Sequence, residues 1–263
     1  MLAEERQQRI MQKLEEQKVV KVQDLVRYLD ASESTIRRDL QDMESRHLLR
    51  RLHGGASLLQ LRSEELDMEA KTSKNIQEKK KIAYLAYQQI KPHECIYLDA
   101  GTTTLEMIRY FRDTNVTVVT NSPVHAEKLT TQGVDCYLIG GFMKRTTQAV
   151  VGSMALRNLS QFRFDRAFIG TNGIDAAFGY TTPDPEEASI KRSACELAAQ
   201  AYIVADSSKF SEIAFCKMFD LAQAAIITNE SLECIAPIIC EKTKIYSVDS
   251  VAYDQPLDGY SKK

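Results

Sequence analysis

Ser32-Glu33-Ser34-Thr35-Ile36-Arg37-Arg38-Asp39-Leu40 reads as the opening turns of a helix with its cations near the start. Ser32 follows a turn-like Asp30-Ala31 and suits the N-cap, its hydroxyl accepting from the backbone N–H of Ser34 or Thr35. Ile36, Leu40 and Met43 recur at the spacing of one buried helix face. Arg37 and Arg38 project from the first two turns, beside Ser34 and Thr35. Such an N-terminus offers an anion the positive end of the helix dipole, and its guanidiniums match guanine edges as paired donors. Taken alone, two adjacent arginines favour a plainer reading, a solvated face with Arg38 paired to Asp42 four residues on.

The flanking residues reverse that preference. Val22, Leu25, Val26 and Leu29 mark one face of a short helix that ends just before the turn. Two helices joined by a tight turn, the second presenting arginines, make the helix-turn-helix layout. Downstream, Leu48-Leu49-Arg50-Arg51-Leu52-His53-Gly54-Gly55-Ala56 reads as a small hairpin, or wing, whose Arg50 and Arg51 straddle a phosphate backbone. Residues 4–17 supply a first helix, with Ile10 and Leu14 completing a three-helix core. Thr35-Ile36-Arg37-Arg38-Asp39-Leu40 followed by Arg51-Leu52-His53-Gly54-Gly55-Ala56 resembles the winged-helix signature of the DeoR-type transcriptional regulators. The resemblance implies operator DNA as a partner, met by Ser32, Ser34, Thr35, Arg37, Arg38, Arg50, Arg51 and His53. It departs at His47, where the family usually has a helix-ending glycine; histidine tolerates the left-handed conformation better than most residues.

Composition bounds the rest. A chain of 263 residues suggests about two domains. Apolar and charged fractions of 44% and 27% are those of a soluble chain with room for a core. Residues 1–60 carry eleven Lys/Arg against ten Asp/Glu, and the whole chain a net charge of −2, so DNA affinity rests on arginine placement rather than bulk charge. Six cysteines without a C-x-x-C or a Cys/His cluster are expected to be buried small apolar groups in a reducing cytosol, with no metal or disulfide role. No cofactor is expected. The first residues lack an apolar signal core and no apolar run reaches membrane-spanning length, so the expected location is cytoplasmic.

The expected domains are a winged helix at 1–60, a polar linker at 61–75 and an α/β domain at 76–263. In the last, a helix over 77–90 precedes strands at 95–98, 116–119, 137–139, 166–169, 202–205, 225–228 and 244–246, with helices between. Strands alternating with helices predict a mostly parallel sheet covered on both faces, which binds ligands beyond the carboxyl ends of its strands. Those ends carry Asp99-Ala100-Gly101-Thr102-Thr103-Thr104, Thr120-Asn121-Ser122-Pro123, Gly140-Gly141 with Lys144-Arg145, Gly170-Thr171-Asn172-Gly173 and Asp206-Ser207-Ser208-Lys209-Phe210. Each alone is an ordinary turn. Five polar loops on one sheet edge, two with lysine, point to a phosphate-bearing polyol. Glu187 and Lys191 read either as an i,i+4 helix pair or as groups at the mouth of that pocket.

The same loops, with Gly152 and Glu187-Ala188, resemble the sensor domain of the DeoR-type regulators, which is similar to ribose-5-phosphate isomerase and binds a phosphorylated sugar. By that resemblance Gly101–Thr104 and Lys209 hold the phosphate, and Asn121, Glu187 and Asp206 meet hydroxyls. Asp99, Lys144, Gly170, Asn172, Lys191 and Ser208 complete the expected effector site. The isomerases carry an acidic loop where this chain has Gly170-Thr171-Asn172-Gly173, which puts proton transfer in doubt although Glu187 remains a base. The linker, the Asp24–Leu29 helix and Ser32–Thr35 look most like fructose-operon repressors of low-GC Gram-positive bacteria, implying fructose 1-phosphate as effector.

Three functions are thus open. One is a sugar-phosphate-responsive regulator, expected as a homo-oligomer of even number because symmetric dimers meet symmetric half-sites. Another is a sugar-phosphate isomerase with an appended DNA-binding module. The last is a constitutive DNA-binding protein whose second domain only oligomerises. The uncharged Gly170–Gly173 loop disfavours the second, and the polar strand ends disfavour the third.

Overall fold

The computed structural model describes residues 2–248 apart from 18, 47, 53, 59–71 and 113. His53, His47 and most of the linker segment therefore lie outside the described residues. The chain divides at residues 61 and 62 into two units.

The first unit runs α1 (Ala3–Gln17), β1 (Val19–Lys21), α2 (Val22–Leu29), α3 (Glu33–Ser45), β2 (Leu49–Leu52) and β3 (Gly55–Leu58). Ile10 and Leu14 of α1 meet Leu25 and Leu29 of α2 and Ile36, Leu40 and Met43 of α3 in one buried cluster. Asp30 stops α2 in the left-handed conformation (φ 48°), which acidic and amide side chains tolerate better than most. Ser32 caps α3 by accepting from Thr35 N at 3.2 Å. The wing is a three-stranded antiparallel sheet in the order β1-β3-β2, one strand more than the hairpin anticipated from sequence. Gly54 takes φ +83° in the wing turn. Gly55 has another reason to be glycine: a Cβ there would stand 2.3 Å from the Val20 carbonyl oxygen.

The second unit begins with α4 (Ile76–Tyr87), β4 (Cys95–Leu98), α5 (Thr102–Met107), β5 (Thr117–Thr120), α6 (Pro123–Thr131) and β6 (Asp135–Leu138). It continues through β7 (Phe142–Met143), β8 (Val150–Val151), α7 (Ser153–Leu159), β9 (Phe164–Gly170), β10 (Gly173–Asp175), β11 (Gly179–Thr182) and α8 (Pro185–Glu196). β12 (Ala198–Val204), β13 (Cys216–Phe219), β14 (Ala225–Thr228), α9 (Pro237–Lys242) and β15 (Ile245–Ser247) close it. Seven strands form one sheet in the order β15-β14-β12-β9-β4-β5-β6, and every neighbouring pair is parallel. Side chains alternate across it. Tyr97, Val119, Ala167, Ile169 and Ile203 pack on one face with Ala155 of α7 and Ala188 and Ile190 of α8. Ile96, Leu98, Val118, Phe168 and Val204 pack on the other with Ile82 of α4 and Leu105 of α5.

Two expectations are corrected. Between β9 and β14 the chain also builds a separate antiparallel sheet, β10-β11-β13, from strands of three or four residues too short to show a period. The cysteines are not uniformly buried: all six are free thiols, but Cys234 and Cys240, on the short segments before β15, are exposed.

Candidate functional site

At the start of α3 the three hydroxyls gather. Ser32 Oγ lies 2.9 Å from Ser34 Oγ and 2.8 Å from Thr35 Oγ1. The two arginines then part company, and not as the plain sequence reading has it. Arg37 reaches back to Glu33 with Nε at 2.8 Å and a terminal nitrogen at 2.6 Å. Asp42 is occupied by Gln7 at 3.0 Å and Arg46 at 3.6 Å, leaving exposed Arg38 without an ion pair among the described residues. Both members of the Arg37–Glu33 pair are more than half exposed, so releasing Arg37 to another acceptor costs only about 0.3–0.5 kcal/mol. Below them Asp39 is buried and takes Arg6 of α1 in a two-pronged ion pair at 2.5 and 3.0 Å, fixing the helix that presents the arginines. In the wing, Arg50 and Arg51 stand on β2; the Arg51 backbone N–H donates to Glu44 at 2.8 Å.

Because the large sheet is all parallel, its strand ends share one edge, and α8 starts there. Asp184 caps α8 by accepting from Glu186 N and Glu187 N, each at 2.9 Å. Glu187 and Lys191 then reach different loops. Glu187 accepts from Lys144 Nζ at 2.9 Å and from Thr147 Oγ1 at 2.7 Å, in the turn between β7 and β8. Lys144 also meets Asp184 at 2.9 Å. Burial alone would raise the Glu187 pKa, but the Lys191 charge, the Thr147 hydroxyl and Lys144 outweigh it, and the net shift is downward. Lys191, itself buried, pairs with buried Asp99 beyond β4 and donates to the Gly170 carbonyl at 3.3 Å. Asp99 also accepts from Gly170 N at 3.0 Å. One turn of α8 thus ties together the ends of β4 and β9 and the β7–β8 turn.

Other expected residues are placed as follows. Asp206 opens the turn after β12, accepting from Ser208 N at 3.0 Å, from the exposed Ser208 hydroxyl at 2.5 Å and from Asn75 Nδ2 at 3.1 Å. Burial raises its pKa, but Ser208, the charge of half-buried Lys209 and Asn75 reverse the shift. Gly101 caps α5 without a side-chain acceptor, and Thr102 beside it is partly exposed. Thr104 is corrected: fully buried, it turns its hydroxyl to the carbonyls of Asp99 (2.6 Å) and Gly101 (2.8 Å), so it has no donor left for a phosphate. Asn172 spends its carbonyl on Thr182 Oγ1 at 3.1 Å. Asn121 donates Nδ2 to the Val150 carbonyl at 3.2 Å, while its Oδ1 is buried with no hydrogen-bond partner among the described residues.

Thr147, Asp184 and His125 were missed from sequence. An Asp before a Pro at a helix start was a legible capping signal. His125 had none, being a lone histidine on a helix. Its Nδ1 lies 2.8 Å from Ser122 Oγ and its Nε2 3.1 Å from Thr104 Oγ1, which braces the loop after β4 against the loop after β5. Burial pushes its pKa down to about 3, so the folded ring stays neutral while an unfolded histidine takes a proton near 6.5. Between those values the unfolded state binds more protons, and stability falls as pH falls, by about 1.4 kcal/mol per unit. Denaturant titrations from pH 6.5 to 5, above the carboxylate range, are expected to show that loss for the C-terminal unit. His125→Gln should flatten it, and an equal slope in the variant would remove the assignment.

Among the described residues no group of three or more His, Cys, Asp or Glu is arranged to hold a metal ion, and no helix is long and apolar enough to cross a membrane. Residues 6–61 match the model of the DeoR-like helix-turn-helix domain, and residues 74–230 that of the DeoR C terminal sensor domain. The chain is 45% identical over 246 residues to the uncharacterized HTH-type transcriptional regulator FruR of Bacillus subtilis, across 93% of this chain and 98% of that protein. It is 35% identical to the HTH-type transcriptional regulator GlpR of Haloferax volcanii, across 96% and 100%. A lactose phosphotransferase system repressor of Staphylococcus epidermidis is 32% identical, across 81% and 87%. Among solved structures, ribose 5-phosphate isomerase A from Methanocaldococcus jannaschii is 16% identical with a TM-score of 0.40, over 52% of this chain and 56% of that one.

Proposed function

Because this chain belongs to the DeoR family of transcriptional regulators, we infer that it represses a carbohydrate operon and that a phosphorylated sugar controls its grip on operator DNA. It works in the cytoplasm as a homo-oligomer held together by residues 76–263, each winged helix reading a half-site through α3. The names of two relatives, FruR and the lactose phosphotransferase system repressor, support a sugar operon as the target. Fructose 1-phosphate is the effector to test first.

The observation that carries the sensor reading is Asn121 Oδ1. Native structures leave very few buried acceptors unbonded, and a sugar hydroxyl is the donor that fits. Both lysines there are already paired, Lys191 with Asp99 and Lys144 with Glu187 and Asp184, and one carboxylate charge is left over, so the cluster suits the hydroxyls of a polyol and not its phosphate. The phosphate goes to the uncapped N–H groups at the start of α5 and to Lys209. Catalysis is disfavoured by the same cations. A general base works best with a pKa near the operating pH, and Glu187 is held below the usual carboxylate range.

Titrating a fragment of the chain's own promoter in the presence of fructose 1-phosphate, fructose 6-phosphate, glucose 6-phosphate and tagatose 6-phosphate tests this. One ester is expected to change operator affinity. Lys209→Ala is expected to abolish that response, because the cation opposite the phosphate is gone. No response to any ester in the unmodified chain would refute the reading.

A further inference from the structure

Tyr97 is fully buried in β4, and its hydroxyl has no hydrogen-bond partner among the described residues. The ring needs no hydroxyl to pack. It lies 5.4 Å from the Phe164 ring and belongs to the apolar cluster that also holds Val119, Val150 and Ala188. Phenylalanine would fill that place without stranding a polar atom. A second stranded atom is Asn121 Oδ1, and the two come from neighbouring strands. Tyr97 stands opposite Val119 in the β4–β5 register, and Asn121 lies two residues beyond Val119. On the strand of Tyr97, Asp99 follows two residues on; above the same face Glu187 precedes Ala188. Burial and the charges of Asp99 and Glu187 hold the Tyr97 phenol well above its ordinary pKa, which keeps its proton in place for donation.

We propose that the Tyr97 hydroxyl and Asn121 Oδ1 form the inner end of the effector site, where together they take a single hydroxyl of the sugar and so select among sugar phosphates. An alcohol satisfies both at once: its oxygen accepts from the tyrosine O–H and its own O–H donates to the amide oxygen. A ketone or a deoxy carbon at that position leaves one or both unbonded. A site built to bond a buried hydroxyl rejects ligands that lack it far more strongly than an apolar site can reject an added one.

This rests on the sensor reading, and the test separates the two. Full-length chain and Tyr97→Phe are titrated calorimetrically with fructose 1-phosphate, fructose 6-phosphate, glucose 6-phosphate, tagatose 6-phosphate and inorganic phosphate, and unfolded by denaturant without ligand. The variant is expected to bind the preferred sugar phosphate about 10- to 100-fold more weakly. It should also discriminate less among the esters, keep its affinity for inorganic phosphate, and unfold at an equal or higher denaturant concentration. Unchanged sugar affinity overturns the proposal while the sensor reading stands. A lower unfolding midpoint with unchanged affinity does the same and assigns the hydroxyl to a structural water. Equal losses for sugar phosphate and inorganic phosphate overturn it as a general collapse of the site. If the unmodified chain binds none of the esters, both readings fall.

Discussion

Lys191→Ala is expected to destabilise the C-terminal unit by about 3–5 kcal/mol, the usual cost of leaving a buried charge without its partner. Asp99 and Lys191 are both almost wholly buried, and among the described residues the Asp99 carboxylate has only the Gly170 N–H as a second donor. Asp99→Asn alone also strands a charge, but should cost less than Lys191→Ala, since Lys191 keeps the Gly170 carbonyl and the attraction of the Glu187 carboxylate. The double change Asp99→Asn with Lys191→Met should recover most of the loss, because removing both charges avoids the desolvation that neither repays alone. Equilibrium unfolding in urea measures all three. A loss below about 1 kcal/mol for Lys191→Ala, the range of exposed pairs, would mean that the pair is solvated and the strand ends are held together some other way.

Arg38→Ala is expected to weaken binding to the specific operator by about 1–3 kcal/mol and to relax preference at one base pair, while binding to unrelated DNA changes little. The larger effect is assigned to Arg38 because among the described residues it has no ion pair to abandon, whereas Arg37 must first leave Glu33. Arg37→Ala should therefore cost somewhat less, and the double variant roughly two to three orders of magnitude in affinity. Arg51→Ala on the wing should weaken all DNA similarly and reduce the salt slope by roughly one. Competition gel shifts at two salt concentrations distinguish these patterns. Specific and unrelated DNA weakening together in Arg38→Ala would move that residue from base reading to the phosphate backbone.

The fold was legible where periodicity is strong. The cap at Ser32, the inward face of α3 and all seven strands of the parallel sheet can be read from sequence, the strands at 95–98 and 225–228 with their observed ends and the other five with ends displaced by one to four residues. β1 could not be read, because three residues between two helices carry no period; only the approach of Gly55 to Val20 exposes it. The antiparallel β10-β11-β13 sheet is hidden for the same reason. Residue types at the strand ends were legible, but their partners were not. Spacing makes Glu187 and Lys191 look like a pair with each other; placing α8 at the sheet edge sends one to Thr147 and Lys144 and the other to Asp99. Tyr97 and His125 follow no local pattern, since a stranded hydroxyl and a neutral bridging imidazole exist only once two strands and two loops are assembled.

The central claim is that one chain couples a sugar phosphate to operator DNA, and coupling must be reciprocal. The most direct measurement is calorimetric titration of the full chain with fructose 1-phosphate and the other esters, once alone and once saturated with its promoter fragment. The account predicts that DNA changes the affinity for one ester by the same factor by which that ester changes the affinity for DNA, with no conversion of the ester during the titration. Equal ester affinity with and without DNA, or steady isomerisation that Glu187→Gln abolishes, would contradict it.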